Sequence, residues 1–227
     1  MTEDSFEELL RPDERTLRFS PFGLGGRMSP EDSARFLRDS ISRATLGPDV
    51  PEDVRDNFER VRQLHLYGVL EYEFFSAASD LAYLALEGAL RVRFLSYYTD
   101  GVPIGRDAER RTLKVSSFDE VRAAKSKRWK LATGDEARPL PTTLRDLFAW
   151  ARREQLLPGE RTLVVDRALT ALRNFAAHPA GYTLHMPPES ARTLCAVAEI
   201  INRLWGSDTP GGRLFPPPDI PDLERDQ

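Results

Sequence analysis

Cysteine is nearly absent from this chain. Cys195 is the only one in 227 residues, which excludes an internal disulfide framework, and its neighbours Leu194, Ala196 and Ala198 mark it as a small core residue rather than a nucleophile. Histidine is almost as scarce, with His65, His178 and His185 alone. No cluster of His, Cys, Asp and Glu recurs at metal-ligand spacing, so neither a metal nor a cofactor is expected. No apolar run approaches the roughly 20 residues that span a bilayer. The opening Met1-Thr2-Glu3-Asp4-Ser5 is acidic where a secretion signal would be basic. These absences predict a protein of the reducing cytoplasm with no membrane partner. Gly23-Leu24-Gly25-Gly26 lacks the preceding strand and the lysine of a phosphate loop.

Charge is plentiful but uneven. The net −4 conceals a basic stretch from Arg106 to Arg138 that holds Arg106, Arg110, Arg111, Lys114, Arg122, Lys125, Lys127, Arg128, Lys130 and Arg138. With Trp129 among them, Lys125, Lys127 and Arg128 are candidate contacts for RNA. A solvated charged connector is the competing reading.

Hydrophobic periodicity predicts an all-α fold: a four-helix bundle of the up-and-down type, with an extra N-terminal helix and an irregular basic connector. Residues 1-50 comprise a turn-rich arm to about residue 28 and a helix that Ser29-Pro30-Glu31-Asp32 opens, with Ser29 as cap. Residues 51-206 form the main domain. In it, Ala77, Ala78, Leu81, Ala85, Gly88, Val92 and Leu95 recur at helical spacing within a stretch from Glu52 to about Tyr98, and Gly68 marks a kink or break. Residues 100-142 are an irregular basic insertion, with a small hairpin as one option near Thr112. Three further helices are predicted at about 143-157, 161-178 and 188-205, the first opened by a capping box at Thr143. A Pro-rich acidic tail, 207-227, completes the chain.

Chemistry concentrates at the end of the 161-178 helix, where Arg173-Asn174-Phe175-Ala176-Ala177-His178 precedes Pro179. Proline drives the residue before it out of helical geometry, so His178 sits at a helix C-terminus, whose dipole favours imidazolium. Arg173 flanks the apolar stripe of Val165, Ala168, Leu169, Leu172 and Ala176. Glu73, Asp80 and Glu87 recur every seven residues along one side of the long helix and are candidate supports for it; a solvated acidic face is the alternative.

Arginine, four residues, then histidine, with asparagine after the arginine and at the end of the third of four helices, resembles the signature of HEPN-family ribonucleases. The alanine-rich helix from Glu73 and the helix ending in Leu156-Leu157-Pro158-Gly159 resemble the corresponding elements, so the likeness covers about residues 60-206. Ala180 stands where several toxin-type members carry tyrosine. The resemblance implies metal-independent endoribonuclease activity at a homodimer interface, in a toxin or phage-defence setting with an antitoxin or defence-system partner. In it Arg173 stabilises phosphate charge, His178 transfers protons and Asn174 orients phosphate or backbone. Five residues rotate a side chain by about 140°, so Arg173 and His178 converge only if the last turn unwinds or two chains combine. A non-catalytic dimerising module that binds RNA or nucleotide is the alternative function. A structural dimer in which Arg173 pairs with an acid of the long helix is a third reading.

Overall fold

A computed structural model describes residues 10–19, 22–23, 26–107, 109–133, 136–158 and 185–215. Among them the chain forms α1 (Glu14–Phe19), β1 (Phe22–Gly23), β2 (Gly26–Arg27), α2 (Pro30–Ser40), α3 (Glu52–Tyr67), α4 (Phe74–Tyr97), β3 (Val102–Arg106), β4 (Glu109–Leu113), α5 (Phe118–Ser126), β5 (Lys130–Thr133), β6 (Glu136–Pro139), α6 (Leu144–Arg153) and α7 (Pro187–Leu204). The expectation of an all-α helical bundle is thereby overturned. The described residues hold seven helices and a four-stranded antiparallel sheet, and the fold is mixed α/β.

The sheet is the stretch read as an irregular basic connector. Its order is β4-β3-β5-β6, with Ile104 opposite both Arg111 and Leu131, and Leu131 opposite Arg138. Among the described residues only β3 and β5 bury side chains in the core: Val102 and Ile104 from β3, Leu131 from β5. β4, Glu109-Arg110-Arg111-Thr112-Leu113, is an edge strand whose charges oppose further pairing. So short and charged a set of strands shows no period-2 signal, and its three buried side chains join one apolar cluster with Phe94 of α4 and Phe118 and Val121 of α5. α5 closes the connection by burying Phe118, Val121 and Ala124.

Gly68 is a break rather than a kink. α3 ends at Tyr67, a turn follows, and α4 restarts at Phe74. A Cβ at Gly68 would lie 2.4 Å from the Phe75 ring, so the return of the chain requires glycine there. α4 is the central element. It packs on α3 and α7, and its C-terminal half meets α6, where Phe94 and Trp150 stand edge to face at 5.0 Å. Trp150 Nε1 donates to the Tyr98 hydroxyl at 3.2 Å, and burial pushes that phenol up to about 12.

Caps fix the helix starts that the sequence announces. Ser29 Oγ accepts the Asp32 N–H at 3.1 Å at the head of α2. Thr143 Oγ1 accepts the Asp146 N–H at 3.2 Å at the head of α6, while the Asp146 carboxylate accepts the Thr143 N–H at 3.4 Å. Thr143→Ala is expected to cost about 1 kcal/mol of stability, measured by urea unfolding. At the other end of the chain, residues 10–19 are tied to the α3–α4 turn by the bond from Asp13 N–H to Leu70 C=O, 2.8 Å.

Candidate functional site

Arg173, Asn174 and His178 lie outside the described residues, as does the apolar stripe from Val165 to Ala176. What is described is the frame on both sides of them. The chain leaves α6 through Gln155, held in the left-handed region at φ 58°, and the buried Leu157. It returns at His185, whose backbone N–H donates to the buried Ser76 Oγ at 2.8 Å. That bond holds His185 against the first turn of α4.

Glu73, at the N-cap of α4, and Asp80 and Glu87 within it occupy one side of the helix but do not form one cluster. Seven residues advance a helix by about 10.5 Å, so a single guanidinium cannot meet all three. Each has its own surroundings. Glu73 is exposed and bonds Arg15 at 2.6 Å, joining α1 to α4. Glu87 is buried and pairs with Arg91 one turn on. Asp80 is half-buried one turn from Ser76; burial raises its carboxyl, and the nearby His185 draws it back.

The cations of the basic stretch separate similarly. Lys125 Nζ donates to Thr142 Oγ1 at 2.7 Å and to Asp146 at 3.2 Å, which fastens α5 to the start of α6. Burial pushes the Asp146 carboxyl up, but the bonds from Thr143 and Lys125 outweigh it and hold the group below the usual carboxylate range. Lys127 and Arg128 are exposed in the following turn, with Arg128 at φ 64°. Trp129 is only 5% exposed, beneath the guanidinium groups of Arg106 and Arg111 at 4.7 and 4.3 Å from its ring centre. Both faces of a stacking platform are therefore not open to a base. The outward face of the sheet carries Arg110 and Lys130 on either side of Gly105 in one cross-strand row, and Thr112, Pro103, Ala132 and Ala137 in the next. Its charges are all basic.

Three buried polar groups lie outside the sequence-predicted site. His65 is fully buried in α3, with Nδ1 2.9 Å from Ser190 Oγ of α7, and burial lowers its pKa to about 4. Glu199 of α7 accepts the backbone N–H groups of Arg213, Leu214 and Phe215 at 2.9, 2.6 and 2.9 Å. Asn202, one turn on, accepts from Gly47 N–H and donates to Thr45 C=O and Thr209 Oγ1. The available signal was a polar residue on a buried stripe, next to Ala198 and Ile201, which demands partners.

Among the described residues no helix is long and apolar enough to cross a membrane, and no group of three or more His, Cys, Asp or Glu is placed to hold a metal ion. Comparison with family models, curated proteins and solved structures finds no match to the chain.

Proposed function

We propose that the chain is a HEPN-type endoribonuclease working as a homodimer, with Arg173, Asn174 and His178 at its active site and a toxin or defence setting. The observation that carries the reading is the Arg173-to-His178 string at the predicted end of an amphipathic helix. The described frame supports it in one respect. Seven residues separate His178 from His185, and an extended chain of that length spans at most about 25 Å. His185 itself is fixed at Ser76 in the first turn of α4, so chain length alone bounds how far His178 can lie from that helix.

The reaction is a transesterification within the RNA. The 2′-hydroxyl oxygen attacks the adjacent phosphorus and the bond from phosphorus to the 5′-oxygen breaks, leaving a 2′,3′-cyclic phosphate and a 5′-hydroxyl. One proton leaves the 2′-hydroxyl and one reaches the departing oxygen. His178 moves a proton, and Arg173 meets the charge that grows on the phosphorane.

A second reading, a non-catalytic RNA-binding module, is favoured by the basic outward face of the sheet and by exposed Lys127 and Arg128. Incubation of single-stranded RNA with the protein in EDTA separates the two. Cleavage by the wild type that falls about 10²- to 10⁴-fold in Arg173→Ala and His178→Ala is the expected result. Cleavage surviving in both variants eliminates the site; a gel shift without cleavage selects the binding module.

A further inference from the structure

One side of α4 has no cover among the described residues. Phe75, Ala78, Ala82, Leu86 and Leu90 face the core, whereas Leu81 and Leu84 on the opposite side are 43% and 52% exposed. Gly88 follows on the same side, and a Cβ built on it meets nothing within 4 Å. Asp80 and Arg91 flank this strip at its two ends, both half-buried. Asp80 forms no ion pair among the described residues, while Arg91 pairs with Glu87 and lies over the Phe118 ring.

We propose that this side of α4 is the contact between two copies of the chain, paired antiparallel about a two-fold axis at the level of residue 86. At about 1.5 Å rise per residue, antiparallel pairing at that level sets Leu84 opposite the partner's Gly88, and Ala77 opposite the partner's Leu95. Asp80 then comes within about 1.5 Å, along the axis, of the partner's Arg91. Each Leu84 enters the space beside the partner's Gly88, and each Asp80 carboxylate gains a cation, twice over by symmetry. A parallel pair would instead oppose Leu84 to Leu84 and Asp80 to Asp80. Charge and shape therefore select the antiparallel arrangement, and with it a second copy rather than an unrelated partner. The proposal gives the homodimer of the proposed function a surface, but it is read from α4 alone and holds whether or not RNA is cut.

Sedimentation velocity on the full chain from 1 to about 100 μM, without RNA, tests it, that range suiting an interface at the small end of the specific class. The wild type should associate to twice the chain mass. Gly88→Leu puts its Cβ in open space in the single chain and improves helix propensity. It should keep or raise the melting temperature while weakening association about 30-fold or more, the effect of losing a central interface contact. Asp80→Lys should weaken association as well. A wild type that stays monomeric overturns the proposal, as does a dimer that Gly88→Leu leaves unchanged. A Leu84→Glu protein that melts lower with unchanged mass would show this side covered by the chain's own 159-184 segment, and would overturn it too. Because no step uses RNA, failure of the nuclease assay and failure of the pairing are separate results.

Discussion

Glu199→Ala should lower the free energy of unfolding by about 3 kcal/mol and the melting temperature by about 6 to 12 °C. The carboxylate sits buried on α7 and receives three consecutive backbone N–H groups, those of Arg213, Leu214 and Phe215. A hydrogen bond to a charged group contributes about 1.5 to 3 kcal/mol. Water can reach part of this half-buried segment once the carboxylate is gone, which keeps the total below three full contributions. Glu199→Gln preserves one acceptor oxygen, enough for Leu214 and Phe215, but turns an amide N–H₂ toward the Arg213 N–H. Its loss should fall between wild type and alanine. The same contact explains Gly212, where a Cβ would lie 2.6 Å from the Glu199 carboxyl. Limited proteolysis gives a second readout, since cleavage within 207–215 should accelerate in Glu199→Ala. Equal melting temperatures and equal cleavage in wild type and alanine variant would refute the anchoring role.

Glu199 also shows what kind of information the sequence held. Helix starts were legible because a cap is a local code: Ser29 and Thr143 bond residues three positions away, and the structure has both bonds. α7 was legible because its buried residues repeat over eighteen positions. The sheet was not, because its pairing joins residues such as Ile104 and Leu131 that are far apart in sequence, and its edge strand carries no alternation. Trp129 misled for the same reason. Beside so many cations it reads as a nucleic-acid contact, yet Arg106 and Arg111, from two other strands, close over its ring. Lys125 is equally non-local in its bond to Asp146. For the candidate site, the frame of α4, Ser76 and His185 is defined, while the Arg173 to His178 string rests on sequence pattern alone.

The buried pair His65 and Ser190 should make stability fall as the pH drops from about 6.5 to about 4. A neutral imidazole carries one N–H and one lone pair. Nδ1 faces Ser190 Oγ at 2.9 Å, and the ring stands edge to face against Phe75 at 5.1 Å. Nε2 is buried and has no hydrogen-bond partner among the described residues. Protonation would place a charge and an N–H with nothing to receive it in an apolar site, so burial moves the pKa from 6.5 to about 4. Between those values the unfolded chain binds the proton and the folded chain does not. Stability therefore rises with pH across the window, and what the neutral ring contributes is lost as pH falls toward 4. At about 1.4 kcal/mol for each pH unit, the full loss is about 3 kcal/mol. The Asp80 carboxyl, raised by burial, works in the opposite direction near the acid end of the window, and the depressed Asp146 acts below it. Only a comparison of variants isolates the histidine. In urea unfolding at pH 7, 6, 5 and 4, His65→Leu should start lower, because Ser190 loses its partner, but should lose about 3 kcal/mol less than wild type over the acid range. Parallel pH profiles for the two proteins would show that His65 is not the group responsible.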